Sequence, residues 1–171
     1  LRQACEAGPR VRVLRIGPLE VLDDTYNANP ASMAAALEAL AARAEREAGA
    51  HARIAALGEM LELGDTAAQW HHELGQTAAR SGITHLFARG PHAADTVRGA
   101  QEGGVEHAEA IEDHTAIADA IARIAQPGAR LLVKGSRGMQ MERVLDALRE
   151  RYEAEKNGAG AAYAAESTDG V

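Results

Sequence analysis

The chain has 171 residues, long enough for one domain with a full hydrophobic core, and its net charge is −7 with a quarter of the residues charged. It carries no Lys/Arg cluster of the kind that nucleic acid requires, and no apolar run near the roughly 18 residues of a membrane span. The single cysteine, Cys5, excludes an internal disulfide and a cysteine-based zinc site, and it fits a reducing cytoplasm. The missing initiator Met suggests a piece of a longer protein.

The sequence begins with two β-prone runs, residues 11–16 and 19–24, joined by Gly17-Pro18. They are close enough to pair, which predicts a β-hairpin. Apolar residues at helical spacing then predict a helix over about residues 30–48.

The loop between this hairpin and helix is the sharpest signal in the chain. Residues 23–30 read Asp-Asp-Thr-Tyr-Asn-Ala-Asn-Pro, in which Asn29 suits a helix N-cap and Pro30 the first helical position. The other polar residues crowd at the carboxyl end of a strand beside a helix N-terminus, where open α/β sheets bind ligands. The alternative is a well-capped turn with solvated carboxylates.

Strands and helices then alternate to the end of the domain. The remaining predicted strands are residues 53–57, 83–88, 105–108 and 130–133. The remaining predicted helices are one capped by Asp65 and ending near Ser81, one over about 93–99, one marked by isoleucines 117, 121 and 124, and one whose apolar stripe starts at Met141. Residues 1–156 are expected to form the domain and 157–171, rich in Gly and Ala, a disordered tail.

Strands separated by helices of this length pair in parallel through right-handed crossovers. The predicted fold is therefore α/β, an open, doubly wound, mostly parallel Rossmann-like sheet with an N-terminal β-hairpin. Loops that leave the carboxyl ends of the strands share one rim in such a sheet. We therefore expect residues 23–30, 58–65 and 134–139 to converge on one site.

The loop at 134–139 combines Lys134, Ser136 and Arg137 with two glycines before a helix. Two cations, a hydroxyl and a helix N-terminus suit a phosphate or a carboxylate. The alternative is a basic turn in which Ser136 caps the helix. No segment of the chain has the spacing of a Walker A phosphate-binding loop.

The loop at 58–65 carries three carboxylates, Glu59, Glu62 and Asp65. They could hold an ammonium group or a metal ion, and solvation is favoured for Glu62 and Asp65. His71 and His72 are adjacent on the next helix and point about 100° apart, so they cannot both ligate one metal in the usual manner. No metal site is predicted.

The sequence also predicts where Trp70 and the histidines lie. One of the two adjacent histidines is expected to face the rim near Glu59, and Trp70 is expected in the core with Leu74. The histidines at 51, 85, 92, 107 and 114 are assigned to the surface.

Three motifs in order carry a resemblance to a known family: residues 23–33 (DDTYNANPASM), 56–64 (ALGEMLELG) and 132–143 (LVKGSRGMQMER). Together they closely resemble the C-terminal domain of the Mur ligase family, in its UDP-N-acetylmuramoyl-tripeptide:D-alanyl-D-alanine ligase branch. The family commonly has Asp where this chain has Glu59. The resemblance covers the chain up to the last helix.

The resemblance implies an ATP-dependent amide ligase of peptidoglycan precursor synthesis that works through an acyl phosphate. Its partners would be ATP, D-alanyl-D-alanine and UDP-N-acetylmuramoyl-tripeptide. The missing N-terminal and central domains would bind the uridine nucleotide, the ATP phosphates and Mg²⁺. No catalytic residue is expected in this fragment, which alone should not catalyse ligation.

The resemblance also implies roles for particular residues. It places the nucleotide near Asp24, Tyr26, Asn27, Asn29 and Pro30. It places the incoming substrate near Glu59, Lys134, Ser136 and Arg137.

Two other classes of protein remain compatible with the residues alone. One is a free-standing Rossmann-like module that binds a nucleotide or another anion. The other is an interaction scaffold whose acidic surface docks a partner.

Overall fold

The computed structural model describes residues 11–45 and 51–166, and over these it forms a sheet with helices on both faces. The strands are β1 (Arg12–Ile16), β2 (Leu19–Asp24), β3 (Arg53–Leu57), β4 (His85–Ala88), β5 (His107–Ala110) and β6 (Arg130–Lys134). The helices are α1 (Pro30–Glu45), α2 (Ala67–Arg80), α3 (Ala93–Glu102), α4 (His114–Ile124) and α5 (Glu142–Glu166). Short 3-10 turns at Gly64–Thr66 and Arg137–Met139 precede α2 and α5.

The six described strands form one sheet in the order β1-β2-β6-β3-β4-β5. β1 pairs antiparallel with β2 as the predicted hairpin, and all other neighbours are parallel. The register sets Lys134 of β6 beside Asp24 of β2 on one side and Leu57 of β3 on the other. The carboxyl ends of these three strands therefore lie side by side, as the predicted open sheet requires.

Each face of the sheet has its own hydrophobic core, because successive strand residues point to opposite faces. On one face Leu22, Ala55 and Leu132 pack under α1, α2 and α3. On the other face Val21, Ile54 and Leu131 pack under α4 and α5. Helices cover both faces, which confirms the doubly wound α/β arrangement.

Several elements differ in their bounds from the sequence prediction. α3 continues to Glu102 and β5 begins at His107, so the strand predicted at 105–108 starts two residues late. The reason is that Val105 closes the turn after α3, where its N–H donates to Ala100 O (2.9 Å) and its side chain is buried. Asp65 lies inside a 3-10 turn and caps no helix, since α2 begins after Thr66.

The last helix is longer than the sequence predicts. α5 runs to Glu166, so residues 157–166 are helical although their composition suggested disorder. Alanine has the highest intrinsic helix propensity, and extending an existing helix avoids the cost of a new nucleus. Residues 1–10, 46–50 and 167–171 lie outside the described residues, so the end of the helix predicted to reach 48 is untested.

Candidate functional site

The three predicted loops meet at Ser136, at the carboxyl ends of β2, β3 and β6. The Leu61 N–H donates to Ser136 Oγ (2.9 Å), and the Ser136 N–H donates to Glu59 O (3.0 Å). The Ser136 hydroxyl in turn faces Ala28 O at 3.5 Å. One buried side chain thus joins residues 23–30, 58–65 and 134–139, and the expected convergence on one rim is confirmed.

Lys134 lies beneath this rim in a buried ion pair. Its side chain is 1% exposed, and Nζ lies 2.7 Å from Asp24 Oδ2. The same ammonium group donates to Asn27 O at 2.7 Å. A buried ammonium needs both a counter-charge and hydrogen-bond acceptors, and here one carboxylate and one carbonyl supply them. Lys134 therefore holds the 23–30 loop in place from below.

The 23–30 loop is further stabilised where it enters α1. Asn29 Oδ1 accepts from the Ser32 N–H (2.8 Å), and Ser32 Oγ accepts from the Asn29 N–H (3.1 Å). This reciprocal pair satisfies donors that a helix N-terminus otherwise leaves without partners. Pro30 occupies the first helical position. The sequence prediction of an Asn29 cap followed by Pro30 is confirmed.

Above this framework, three side chains project outward. Tyr26 is 71% exposed, and the guanidinium carbon of Arg137 lies 5.2 Å from its ring centroid, within cation–π range. Asn27 is also exposed, and its Oδ1 accepts from the Ala28 N–H (2.8 Å). An aromatic ring, an amide and a guanidinium suit a ligand that combines a flat ring, polar groups and negative charge.

Glu59 points inward, away from these exposed groups. Its carboxylate is buried, and Oε2 accepts from the His92 N–H (3.1 Å) just before α3. The same oxygen lies 3.7 Å from Nε2 of His71, which is 2% exposed. The expectation that one of the two adjacent histidines faces Glu59 is therefore confirmed for His71, while His72 bonds to Glu102 at 2.7 Å.

Two of the histidines assigned to the surface contribute to the rim instead. The His92 ring stacks on His71 with centroids 5.1 Å apart. His114 is buried and its Nε2 donates to Met139 O (2.9 Å), which supports the turn that follows Arg137. A signal for His114 was present in the sequence, because it lies three, four and seven residues before the buried positions 117, 118 and 121 of α4.

Trp70 is 40% exposed, so its predicted place in the core is wrong. The inward face of α2 is taken by His71 and Leu74, and Trp70 points to one side of it. There it forms one wall of a mostly apolar cleft of about 350 Å³ between α1 and α2. Pro30 and Met60, from two of the rim loops, also line this cleft.

The two buried carboxylates of the rim, Asp24 and Glu59, do not fit a magnesium ion. Asp24 is paired with Lys134, and Glu59 with the His92 N–H. Within residues 11–45 and 51–166, no three His, Cys, Asp or Glu side chains lie close enough together to hold a metal ion. Over the same residues, no helix is long and apolar enough to cross a membrane.

Fold and rim together define a Rossmann-like domain with a polar site at the carboxyl ends of its strands. Residues 9–137 match the sequence profile of the Mur ligase, glutamate ligase domain. The chain belongs to the Mur ligase family.

Relatives from several bacteria narrow this assignment. The chain is 37% identical to UDP-N-acetylmuramoyl-tripeptide–D-alanyl-D-alanine ligase of Mycobacterium tuberculosis over 143 residues, which is 75% of this chain and 28% of that protein. It is 35% identical to the ligase of the same name from Escherichia coli over 134 residues, 76% of this chain and 27% of that protein. The chain thus spans less than a third of these relatives.

Solved structures show the same relationship. The chain superposes on MurF from Acinetobacter baumannii with a TM-score of 0.70 at 31% identity, covering 86% of this chain and 32% of that one. It superposes on the MurF ligase of Thermotoga maritima in complex with ADP with a TM-score of 0.68 at 26% identity, covering 88% and 32%. The resemblance stated from the three motifs is confirmed.

Proposed function

We propose that this chain is the C-terminal domain of an ATP-dependent ligase that joins D-alanyl-D-alanine to UDP-N-acetylmuramoyl-tripeptide in the cytoplasm. Relatives that carry this name are 32–37% identical over about three quarters of the chain. The observation that carries the proposal is the rim, where exposed Tyr26, Asn27 and Arg137 stand together over a framework whose polar groups are already paired.

The proposed reaction has two steps. An oxygen of the tripeptide carboxylate attacks the γ-phosphorus of ATP, which forms an acyl phosphate and releases ADP. The amine nitrogen of D-alanyl-D-alanine then attacks the acyl carbon, a C–N bond forms, the C–O bond to phosphate breaks, and phosphate and a proton leave. The missing N-terminal and central domains would supply the ATP phosphate site and the ligands for Mg²⁺, because Asp24 and Glu59 of this chain are engaged by Lys134 and the His92 N–H.

In this scheme the 23–30 loop contacts the nucleotide. The Tyr26 ring can stack on a base, and the Asn27 amide can both donate to and accept from a base or sugar. Asp24, Asn29 and Pro30 shape the loop through the ion pair to Lys134 and the cap of α1. Nucleotide recognition by this domain would therefore depend on two exposed side chains held by buried ones.

The 134–139 loop contacts the incoming dipeptide. Arg137 is exposed and can form a two-point contact with the terminal carboxylate. The family resemblance implies the same contact for Lys134 and Ser136, and both are buried beneath the turn. We propose that they shape the turn and that Arg137 makes the contact. A contact of Glu59 with substrate stays a prediction, since its carboxylate points toward His92.

Domain closure would complete the nucleotide and dipeptide contacts, of which the rim of this chain supplies one half. A C-terminal domain that swings over the ATP-binding domain brings the amine to the acyl phosphate and shuts out water, which hydrolyses such intermediates. The rim of this chain is open and polar, as one half of such a site would be.

An ADP-release assay on the longer protein that contains this chain tests the proposal. ADP release should require UDP-N-acetylmuramoyl-tripeptide and D-alanyl-D-alanine together, and the 171-residue chain alone should release none. Equal rates with D-glutamate in place of the dipeptide would overturn the substrate assignment. ADP release by the isolated chain would overturn the division of labour between domains.

A further inference from the structure

His71 is a buried polar side chain to which the proposed reaction assigns no task. It projects from the inward face of α2, is 2% exposed, and lies on the side of the 58–65 loop away from Ser136. Both of its ring nitrogens have partners: Nδ1 lies 2.8 Å from Ala67 O, and Nε2 lies 3.0 Å from Met60 N.

These partners determine the protonation state of the ring. A carbonyl oxygen can only accept, so Nδ1 carries a hydrogen and donates to Ala67 O. A backbone N–H can only donate, so Nε2 is unprotonated and accepts a hydrogen bond from the Met60 N–H. The His71 ring is therefore neutral, with its proton on Nδ1.

The bond to Met60 holds the strip of loop that meets Ser136. On one side of Met60, the Glu59 carbonyl accepts from the Ser136 N–H (3.0 Å); on the other side, the Leu61 N–H donates to Ser136 Oγ (2.9 Å). Two consecutive peptide groups, 59–60 and 60–61, are thus held between one imidazole and one serine. A shift of Met60 must move both bonds that orient Ser136, the residue next to Arg137.

We propose that His71 is a positioning residue: its neutral ring holds Met60 so that the loop at 59–61 sets Ser136 and, through it, the turn that presents Arg137 to the carboxylate of the incoming dipeptide. This rests on the proposed function. It assigns to α2 a part in recognising the amine substrate, although α2 itself contributes no side chain to the exposed rim at Tyr26, Asn27 and Arg137.

The arrangement predicts a dependence on pH. A second proton on the ring would occupy Nε2, remove the acceptor of the Met60 N–H, and direct the new N–H toward Glu59 Oε2, 3.7 Å away. The charged groups that face the ring are Glu59 from the loop and His92 stacked beside it, with Asp95 hydrogen-bonded behind His92 at 3.1 Å. Acidification should therefore loosen dipeptide binding more than ATP binding.

Two substitutions in the full-length ligase separate positioning from packing. His71→Met fills the same space with an apolar side chain of similar length and removes the acceptor of the Met60 N–H. It should raise the KM for D-alanyl-D-alanine roughly tenfold, about 1.4 kcal/mol. His71→Gln places an amide oxygen near the position of Nε2 and should restore that KM to within about threefold of the native value. The KM for ATP should change less than about twofold in both.

His72→Gln is the matched control, because His72 lies next in sequence and bonds outward to Glu102. It should leave both constants unchanged. On acidification, the dipeptide KM should rise in every form because the dipeptide's own amine gains a proton. It should rise more steeply in the native ligase and in His72→Gln than in His71→Gln, since the amide of Gln does not titrate. Equal losses in His71→Gln and His71→Met, or equal changes in both KM values, would overturn the proposal.

A measurement without turnover separates this inference from the proposed function. Nitrogen-15 NMR of the 171-residue chain at neutral pH should show His71 with its proton on Nδ1, and amide exchange at Met60 should be faster in His71→Met than in His71→Gln. A proton on Nε2 would overturn the positioning role whatever the substrate is. Native ligase that ignores D-alanyl-D-alanine would overturn the proposed function while leaving the NMR result intact.

Discussion

The rim contains two tiers of polar residues, which differ in whether their polar groups are engaged within the chain or exposed to solvent. In the buried tier, Asp24, Glu59, His71, Lys134 and Ser136 each have their polar atoms engaged by other parts of the chain. In the exposed tier, Tyr26, Asn27 and Arg137 project into solvent. The motifs contain both tiers mixed together, so the residue types that suggest ligand binding serve mainly to build the surface on which a few exposed groups stand.

Substitutions in the two tiers should differ in their energetic cost. Removing one partner of a buried polar pair leaves the other without compensation, which costs stability first. Removing an exposed side chain changes a ligand contact and leaves the fold nearly as stable. Substitutions in the two tiers should therefore separate along two axes, the free energy of unfolding and the Michaelis constants.

The largest effect is expected for Lys134→Met. The substitution leaves the Asp24 carboxylate buried without its counter-charge, which typically costs about 3–5 kcal/mol. Urea unfolding followed by circular dichroism on the 171-residue chain measures it. The double variant Lys134→Met with Asp24→Asn removes both charges and should recover part of the loss. A loss below about 1 kcal/mol for the single variant would show that the buried ion pair contributes little to stability and would contradict the expected difference between the two tiers.

Arg137→Ala should act on binding instead. Loss of a charge-assisted contact worth about 1.5–3 kcal/mol should raise the KM for D-alanyl-D-alanine on the order of tenfold to a hundredfold, with the free energy of unfolding changed by less than about 0.5 kcal/mol. Arg137→Lys is the control, since it keeps the charge without the planar fork and should fall between. An unchanged dipeptide KM in Arg137→Ala would make this loop purely structural.

Asn27→Ala should have a smaller effect on the other substrate. A neutral hydrogen bond contributes about 0.5–1.5 kcal/mol, so the KM for ATP should rise by roughly twofold to tenfold while that for the dipeptide changes less. Asn29→Ala, two residues away, removes the cap of α1 and should instead cost about 0.5–2 kcal/mol of stability. The reverse pattern of Michaelis constants for Asn27→Ala would break the assignment of this loop to the nucleotide.

The division into tiers also shows where sequence reasoning reaches its limit. The hairpin, the alternation of strands and helices and the meeting of the three loops follow from local periodicity and from the rule that parallel strands share one carboxyl edge. The burial of Lys134 does not, because it depends on the register that sets β6 beside β2, two strands more than 100 residues apart. The same holds for Glu59, whose inward direction depends on the start of α3.

The smallest effect is expected at the opposite edge of the sheet, at the amino ends of β4 and β5, and it concerns the pH dependence of stability. There His85 stacks on His107 with ring centroids 4.7 Å apart, and burial, together with the charge on His107, lowers the pKa of His85 below its usual 6.5. The folded chain then binds fewer protons than the unfolded chain as the pH falls through 6.5, so this pair lowers stability on the acidic side and has no effect well above it.

Thermal unfolding of the 171-residue chain at pH 7.5 and 5.5 measures this contribution. His85→Gln should reduce the loss of stability on acidification, because the amide has no proton to gain, and it should leave the pH dependence of the dipeptide KM in the full-length ligase unchanged. Acidification would then act on the two regions independently. At the rim it would weaken dipeptide binding through His71, and at this edge it would lower the free energy of unfolding through His85. An altered pH dependence of the dipeptide KM in His85→Gln would show that the two regions are coupled through the sheet.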